Sequence, residues 1–384
     1  MPEALRAASL ERKDTVENIQ ALRGIAALMV VWTHFQVTVP VPPHGWYMPF
    51  IRTGIGASGV DLFFVISGYV ISLAACKRHH HPIDFLLARI ARICPLYWIF
   101  VTAFVVGKAA VGNGMLPLGA IWNGYFFIPI FSWGDYQLPP GMLGWTLSFE
   151  MWFYLCFGFL LCFWPPRRVA LILPLIFLVG VLAMPFLYHG EWYFPHFIFS
   201  PFVLEFSAGC LIFSMQSHLR SWFSWALLAL GCGWFLIFSI YHNDLGVPWL
   251  KPADFHRCCE RVFWMGIPMA LIAAGFVGLE RNRLLVMPKI LVWFGTISYS
   301  MYLMHRVAMS ACVEVLGRLG VHGMAVYLPV IPVAVVLISW MVWRFVEHPL
   351  TTRAQALVRA IERKAAPAAA PDRLRTPAYS PGES

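Results

Sequence analysis

The chain has 384 residues, 59% of them hydrophobic and only 12% charged. A soluble domain cannot hide that much apolar surface, so the composition excludes a soluble enzyme or scaffold and indicates a polytopic membrane protein. The formal charge of +9 does not mark a nucleic-acid binder: Lys and Arg are scattered among short loops between apolar runs, which is the orientation signal of an inner-membrane protein.

Residues 1–17 form a polar, mixed-charge leader, and no cleavable signal is read there because the first apolar run is long enough to stay as an anchor. The predicted crossings are 21–40, 55–75, 84–107, 142–164, 169–187, 197–215, 222–241, 262–279, 290–310 and 325–346, each near the ~20 residues a helix needs. The expected fold is an all-α bundle of about ten spans with both termini cytoplasmic. One membrane domain covers 18–350. A cytoplasmic tail, 351–384, is expected to be a short basic helix and then a disordered Pro/Ala-rich stretch.

The segment 116–133, LPLGAIWNGYFFIPIFSW, is apolar enough to compete as a further span. With ten crossings, 21 of the 28 Lys and Arg residues lie on the cytoplasmic side, including Lys77, Arg78, Arg167, Arg168, Arg281, Arg283 and Lys289. With 116–133 also crossing, everything downstream inverts and 13 remain inside. The positive-inside bias therefore makes 116–133 a re-entrant or interfacial segment on the outer face. The nine cysteines show no metal spacing and read as small hydrophobes, with Cys258-Cys259 in a polar loop.

Ionisable residues within spans are costly to insert and are candidate functional groups. Arg23 and His34 lie eleven residues apart in NIQALRGIAALMVVWTHF, which returns nearly to the same helical face about 16 Å further along. Arg89 and Arg92 share a face near the cytoplasmic end of the third span. With Arg23 they make a cationic inner layer suited to phosphate groups; positive-inside anchoring is the alternative, but Arg89 and Arg92 sit deeper than anchoring requires. An outer layer holds His34, Asp61, Glu150 with nearby Ser148, and Ser298, Tyr302 and His305 on one face of 290–310. Two histidines and two carboxylates at one level suit a general base with an orienting acid, His34 being the natural proton acceptor. For Ser298 and Tyr302, inter-helix hydrogen bonding is the simpler role. The outer loop 242–261, with His242, Asp244, Asp254 and His256, reads as solvated with no metal spacing.

A phosphate-bearing ligand entering from the cytoplasm, with a proton-transfer centre beyond it, fits the shape of an acyl-CoA. The motifs ALRGIAALMVVWTHF, GVDLFFVISGY, FLLARIARICPLYW, GWTLSFEMWFY, ISYSMYLMH and FVEHPL, in that order over about 18–350, resemble those of the membrane-bound acyltransferase-3 family, most closely its exopolysaccharide-modifying, ExoZ-like branch. The resemblance implies transfer of an acyl group, acetyl first, from cytoplasmic acyl-CoA to a hydroxyl of an extracytoplasmic or lipid-linked glycan at the bacterial inner membrane, without a metal. It implies that His34 is the general base or acyl carrier, that Arg89, Arg92 and Arg23 engage the donor, and that Glu150 is the motif's acid; the mechanism expected on top of it has Glu150 or Asp61 orient and charge-balance the imidazole. Ser148, Ser298, Tyr302 and His305 then support the substrate or the helices. A macrolide-like acceptor, or a glycan flippase using the same polar core, are the rival readings.

Overall fold

The computed structural model describes residues 17–39, 54–77, 81–110, 116–132, 135–137, 144–187, 193–241 and 255–365. The leader up to residue 16, the tail from 366 onward, and His242, Asp244 and Asp254 lie outside the described residues.

In a bilayer every backbone N–H and C=O must be satisfied within the segment, so long apolar runs become helices. They are α1 (Glu17–Thr38), α2 (Ser58–Lys77), α3 (Pro82–Ala110), α4 (Leu118–Tyr125), α5 (Gly144–Leu160), α6 (Pro166–Leu187), α7 (Tyr193–Ile198) and α8 (Val203–Met215). There follow α9 (Ser221–Tyr241), α10 (Phe255–Arg261), α11 (Ile267–Arg281), α12 (Lys289–Thr296), α13 (Ser298–Arg318), α14 (Met324–Val342) and α15 (His348–Ala365). Two π turns, Val262–Gly266 and Trp343–Glu347, join α10 to α11 and α14 to α15.

Among the described residues seven helical stretches are long and apolar enough to cross a membrane. The predicted crossings outside that set are α1, α5 and the α12–α13 pair. α5 has 17 residues, and α1 and α13 are interrupted by polar side chains. These are the helices that carry Arg23 and His34, Glu150, and Ser298, Tyr302 and His305, whereas Asp61, Arg89 and Arg92 lie on α2 and α3, which are among the seven.

The fold is all-α as expected, with a short antiparallel hairpin, Ile130–Ser132 with Asp135–Gln137, Phe131 opposite Tyr136. Two sequence expectations change. The single span 290–310 is two helices, broken at Ile297, with α12 laid against α1. The residues 255–261, expected to be loop, form α10, with Cys258 and Arg261 buried in the bundle.

Two close helix crossings hold the bundle where the site lies. Small residues let backbones meet in a membrane, where no hydrophobic force drives helices together. A Cβ on Gly24 would lie 2.5 Å from the Leu291 carbonyl oxygen, and one on Gly295 would lie 1.9 Å from that of Gln20, so α1 and α12 touch through glycine. The α2–α8 crossing is the same: a Cβ on Gly68 would lie 1.9 Å from the Phe206 carbonyl oxygen, and one on Gly209 2.0 Å from that of Val65. An aromatic core fills the space around α2, α5 and α8, with Phe206 stacked on Phe64 at 4.5 Å and on Phe153 at 4.8 Å.

Asn18, at the start of α1, ties the two ends of the fold. Its Nδ2 donates to the carbonyls of Phe276 (3.0 Å) and Leu285 (2.9 Å), and its Oδ1 accepts from Met287 N–H at 2.7 Å. Glu280 takes the free N–H groups of Glu17 and Asn18 at 2.6 and 2.8 Å, a carboxylate at a helix N-terminus.

Candidate active site

A cavity of about 90 Å³ lies between α1, α2, α3, α5 and α13. Arg23, Arg89 and Arg92 line it, and so do Glu150, Ser298 and Tyr302. Helical spacing brings Arg89 and Arg92 to one wall. Gly24, next to Arg23, holds α1 close to α12, and α13 begins directly beyond the break. Arg89 also lies over the Phe85 ring, 5.7 Å from its centroid, and the Arg23 guanidinium reaches Gln20 Oε1 at 3.4 Å. The volume suits a few waters or a short acyl group and is far below the ~300–1,000 Å³ of a site that encloses a large ligand.

Glu150 stands among the arginines rather than beside a histidine. Its Oε1 accepts hydrogen bonds from Ser67 Oγ at 2.9 Å and from the Tyr154 hydroxyl. Arg23 is within its electrostatic reach. The carboxylate is thus the counter-charge of the cationic layer, and the two layers read from the sequence merge at this point.

The histidines form a separate pair. His34 on α1 and His305 on α13 meet edge to face, their ring centroids 4.7 Å apart. Each Nδ1 sits against the carbonyl one turn earlier, Val30 at 2.9 Å for His34 and Met301 at 3.1 Å for His305. A carbonyl can only accept, so each Nδ1 carries a proton, and in the neutral imidazole each Nε2 presents a lone pair. His305 Nε2 is buried and has no hydrogen-bond partner among the described residues, an arrangement that costs energy unless a ligand or proton completes it. Tyr302 connects the pair to the cavity. It lines the cavity, hydrogen-bonds Thr146 Oγ1 at 2.5 Å, and its ring lies 6.1 Å from that of His305.

Asp61 and Ser148 are placed elsewhere. Arg261 grips Asp61 with two hydrogen bonds, Nε to Oδ1 at 3.0 Å and Nη2 to Oδ2 at 2.8 Å, with both side chains buried. The guanidinium also donates to the Ala57 carbonyl at 3.0 Å and lies 5.4 Å from the Phe202 ring centroid and 5.8 Å from that of Trp145. Glu205 on α8 is buried in the same charge cluster. Among the described residues neither Asp61 nor Glu150 is hydrogen-bonded to His34. Ser148 donates back to the Gly144 carbonyl at 3.2 Å and Ser298 to that of Gly295 at 2.8 Å, both local helix bonds.

Four polar residues here were not singled out from the sequence. Arg261 looked like loop charge, and Glu205 was overlooked although an acid within an apolar run is itself a signal. Glu347 read as a span boundary, yet it accepts from Ser300 N–H at 3.1 Å and Ser300 Oγ at 2.5 Å, inside the bundle. Ser67, which bonds Glu150, carried no signal.

Comparison with known proteins gives this geometry a family. The acyltransferase domain of the acyltransferase-3 family matches residues 16–344. The exopolysaccharide production protein ExoZ of Rhizobium meliloti is 30% identical over 311 residues, 79% of this chain and 92% of that protein. The putative peptidoglycan O-acetyltransferase YrhL of Bacillus subtilis is 23% identical over 380 residues, 88% of this chain and 55% of that protein. The putative membrane-bound transacylase BcsY of Komagataeibacter xylinus is 28% identical over 196 residues, 46% of this chain and 45% of that protein. No solved structure matches the chain. The match across most of the chain, on a bundle that buries arginines and a histidine pair, makes this protein a multi-pass membrane acyltransferase of the acyltransferase-3 family.

Proposed function

We propose that the protein moves an acyl group, acetyl first, from acyl-CoA at the cytoplasmic face of the bacterial inner membrane to a hydroxyl of an extracytoplasmic or lipid-linked glycan. The observation that carries this reading is a three-arginine cavity joined through Tyr302 to two histidines whose Nδ1 atoms both face backbone carbonyls, with the buried Nε2 of His305 lacking a hydrogen-bond partner among the described residues. Arg23, Arg89 and Arg92 would draw the phosphorylated donor to the inner end, with Glu150 holding the arginines in place. The cavity admits the acyl end, and the bulky nucleotide stays on the cytoplasmic side. Nε2 of His34 takes the proton of the acceptor hydroxyl. The oxygen attacks the thioester carbonyl, the C–S bond breaks, and the CoA thiolate leaves. A variant of the same chemistry puts the acyl group first on His34. His305, 4.7 Å away ring to ring, is placed to share the proton. The names of ExoZ and YrhL support a surface polysaccharide as acceptor.

The test is release of CoA from radiolabelled acetyl-CoA by purified protein, with label followed on protein and on added glycan. We expect His34→Ala to lower kcat by about 10²–10⁴-fold, the range for loss of a general base, and Arg89→Ala to act chiefly on KM. Label retained on the wild-type protein would select the covalent route. Wild-type turnover in His34→Ala would end the role given to that residue. Folded protein that uses neither acetyl-CoA nor succinyl-CoA would favour glycan translocation instead.

A further inference from the structure

A second cavity, about 650 Å³, lies on the outside of the bundle between α3, α13 and the end of α14. Its walls are hydrocarbon: Leu96, Phe100 and Phe104 from one face of α3, Leu303 and Val307 from α13. Among the described residues Lys108 is the one charged residue that lines it. The α3 wall runs from Leu96 to Lys108, twelve residues or about 18 Å. Gly107 leaves it open, since a Cβ there would meet nothing within 4 Å. An apolar trough of that length ending in a cation, in the flank of a membrane bundle, has the chemistry of a single long hydrocarbon chain with an anionic phosphate head.

Its position says which such lipid. α13 carries the groove on one face and Tyr302 and His305, the link to the reaction centre, on its neighbouring face. α3 carries Arg89 and Arg92 below the groove. Lys108 is two residues from the end of α3 and His34 four from the end of α1. If both helices cross in the same direction, the cation and the proton acceptor lie in one layer. We infer that this groove holds the lipid-phosphate anchor of the acceptor, with Lys108 at the phosphate and the attached sugar turned towards His34. This rests on the acyltransfer reading above and adds to it that the acceptor arrives lipid-linked, through the side of the bundle.

The test uses the full chain in nanodiscs and a polyprenyl phosphate with a photoreactive group in its tail, with crosslinks mapped by peptide mass spectrometry. Labelling should fall on 96–108. It should resist a large excess of phosphatidylglycerol and yield to unlabelled polyprenyl phosphate. Gly107→Trp and, separately, Ala103→Trp should fill the groove and cut labelling about tenfold. Lys108→Glu should weaken it. Binding of acetyl-CoA should persist in all three, since none lines the donor cavity. Labelling that phosphatidylglycerol displaces equally, or that survives both tryptophans, would make the groove a seat for bulk lipid and overturn the inference. Specific labelling in a protein that uses no acyl-CoA would instead leave the groove standing and remove the transfer reading.

Discussion

At the scale of single residues, the charge that most changes meaning is Asp61. From its place near the end of an apolar helix it is a candidate to orient the imidazole. In the structure both of its oxygens are taken by Arg261, 1% exposed, and the pair is closed over by Phe202 and Trp145. A carboxylate held at two points by a guanidinium has little left to offer a histidine. We therefore expect Asp61 to position α2 against α10 rather than to act on substrate. Removing one partner of a buried pair costs about 3–5 kcal/mol, whereas replacing the whole group with apolar residues of similar size is often neutral or stabilising. Asp61→Ala should accordingly lose folded protein, measured as the monodisperse yield in detergent. The triple variant Asp61→Leu, Glu205→Gln, Arg261→Met should recover that yield together with at least a tenth of wild-type CoA release. A triple variant that is folded and inactive would return Asp61 to the chemistry.

At the scale of elements, the glycine crossings make a sharper demand than the hydrophobic pattern does. Gly68 and Phe206 meet backbone to backbone, with a Cβ position 1.9 Å from a carbonyl oxygen that cannot swing away. Gly68→Ala should therefore lower the melting temperature in detergent, with an overpacking cost of about 1–3 kcal/mol. Gly233→Ala on α9, where nothing stands within 4 Å, should leave it unchanged or raise it. Equal melting temperatures would mean that the α2–α8 crossing is looser than drawn. The same contrast explains what was legible in the sequence. Apolar runs of ~20 residues announce helices because the bilayer leaves the backbone no other choice. The arginines of one cavity wall were legible because spacing by three on a regular helix fixes their face. Arg261 was not, since it lies in a stretch that reads as polar loop, and Glu347 was not, since it closes a π turn whose extra residue shifts it off the regular period. The break at Ile297 was hidden as well: α12 and α13 are both apolar in places, and only the contact of Gly295 with α1 separates them. The company Glu150 keeps could not be read at all, because it depends on which helices become neighbours, and composition is silent on that.

At the scale of the whole molecule, the open question is how many times the chain crosses and where 116–133 lies. α4 has eight residues, about 12 Å of helix, against a hydrocarbon core of about 30 Å. It stops at Phe126, before Phe127 takes a left-handed φ of 58°. Trp98 Nε1, which donates to the Tyr125 carbonyl at 2.9 Å, and Thr102 Oγ1, 2.6 Å from the Tyr125 hydroxyl, tie it to the upper part of α3. A second constraint comes from the far end of the chain. Asn18 bonds the carbonyls of Phe276 and Leu285 and the N–H of Met287, so the start of α1 and the turn after α11 share one side of the membrane. An even number of crossings must lie between them. The eight crossings predicted up to that turn, carried by α1, α2, α3, α5, α6, α8, α9 and α11, would supply it, and a crossing at 116–133 would make the number odd. The distribution of Lys and Arg argues in the same direction from unrelated physics. We expect single cysteines, placed in a background without the nine native ones, to react with an impermeant maleimide on intact spheroplasts at residues 119 and 322. Residues 167, 283 and 353 should react only after permeabilisation. Outside labelling at 283 would require an odd count and would break the Asn18 contacts. It would also place α13 the other way up from α3, so that Tyr302 and His305 could no longer rise from the arginine layer towards the outer face.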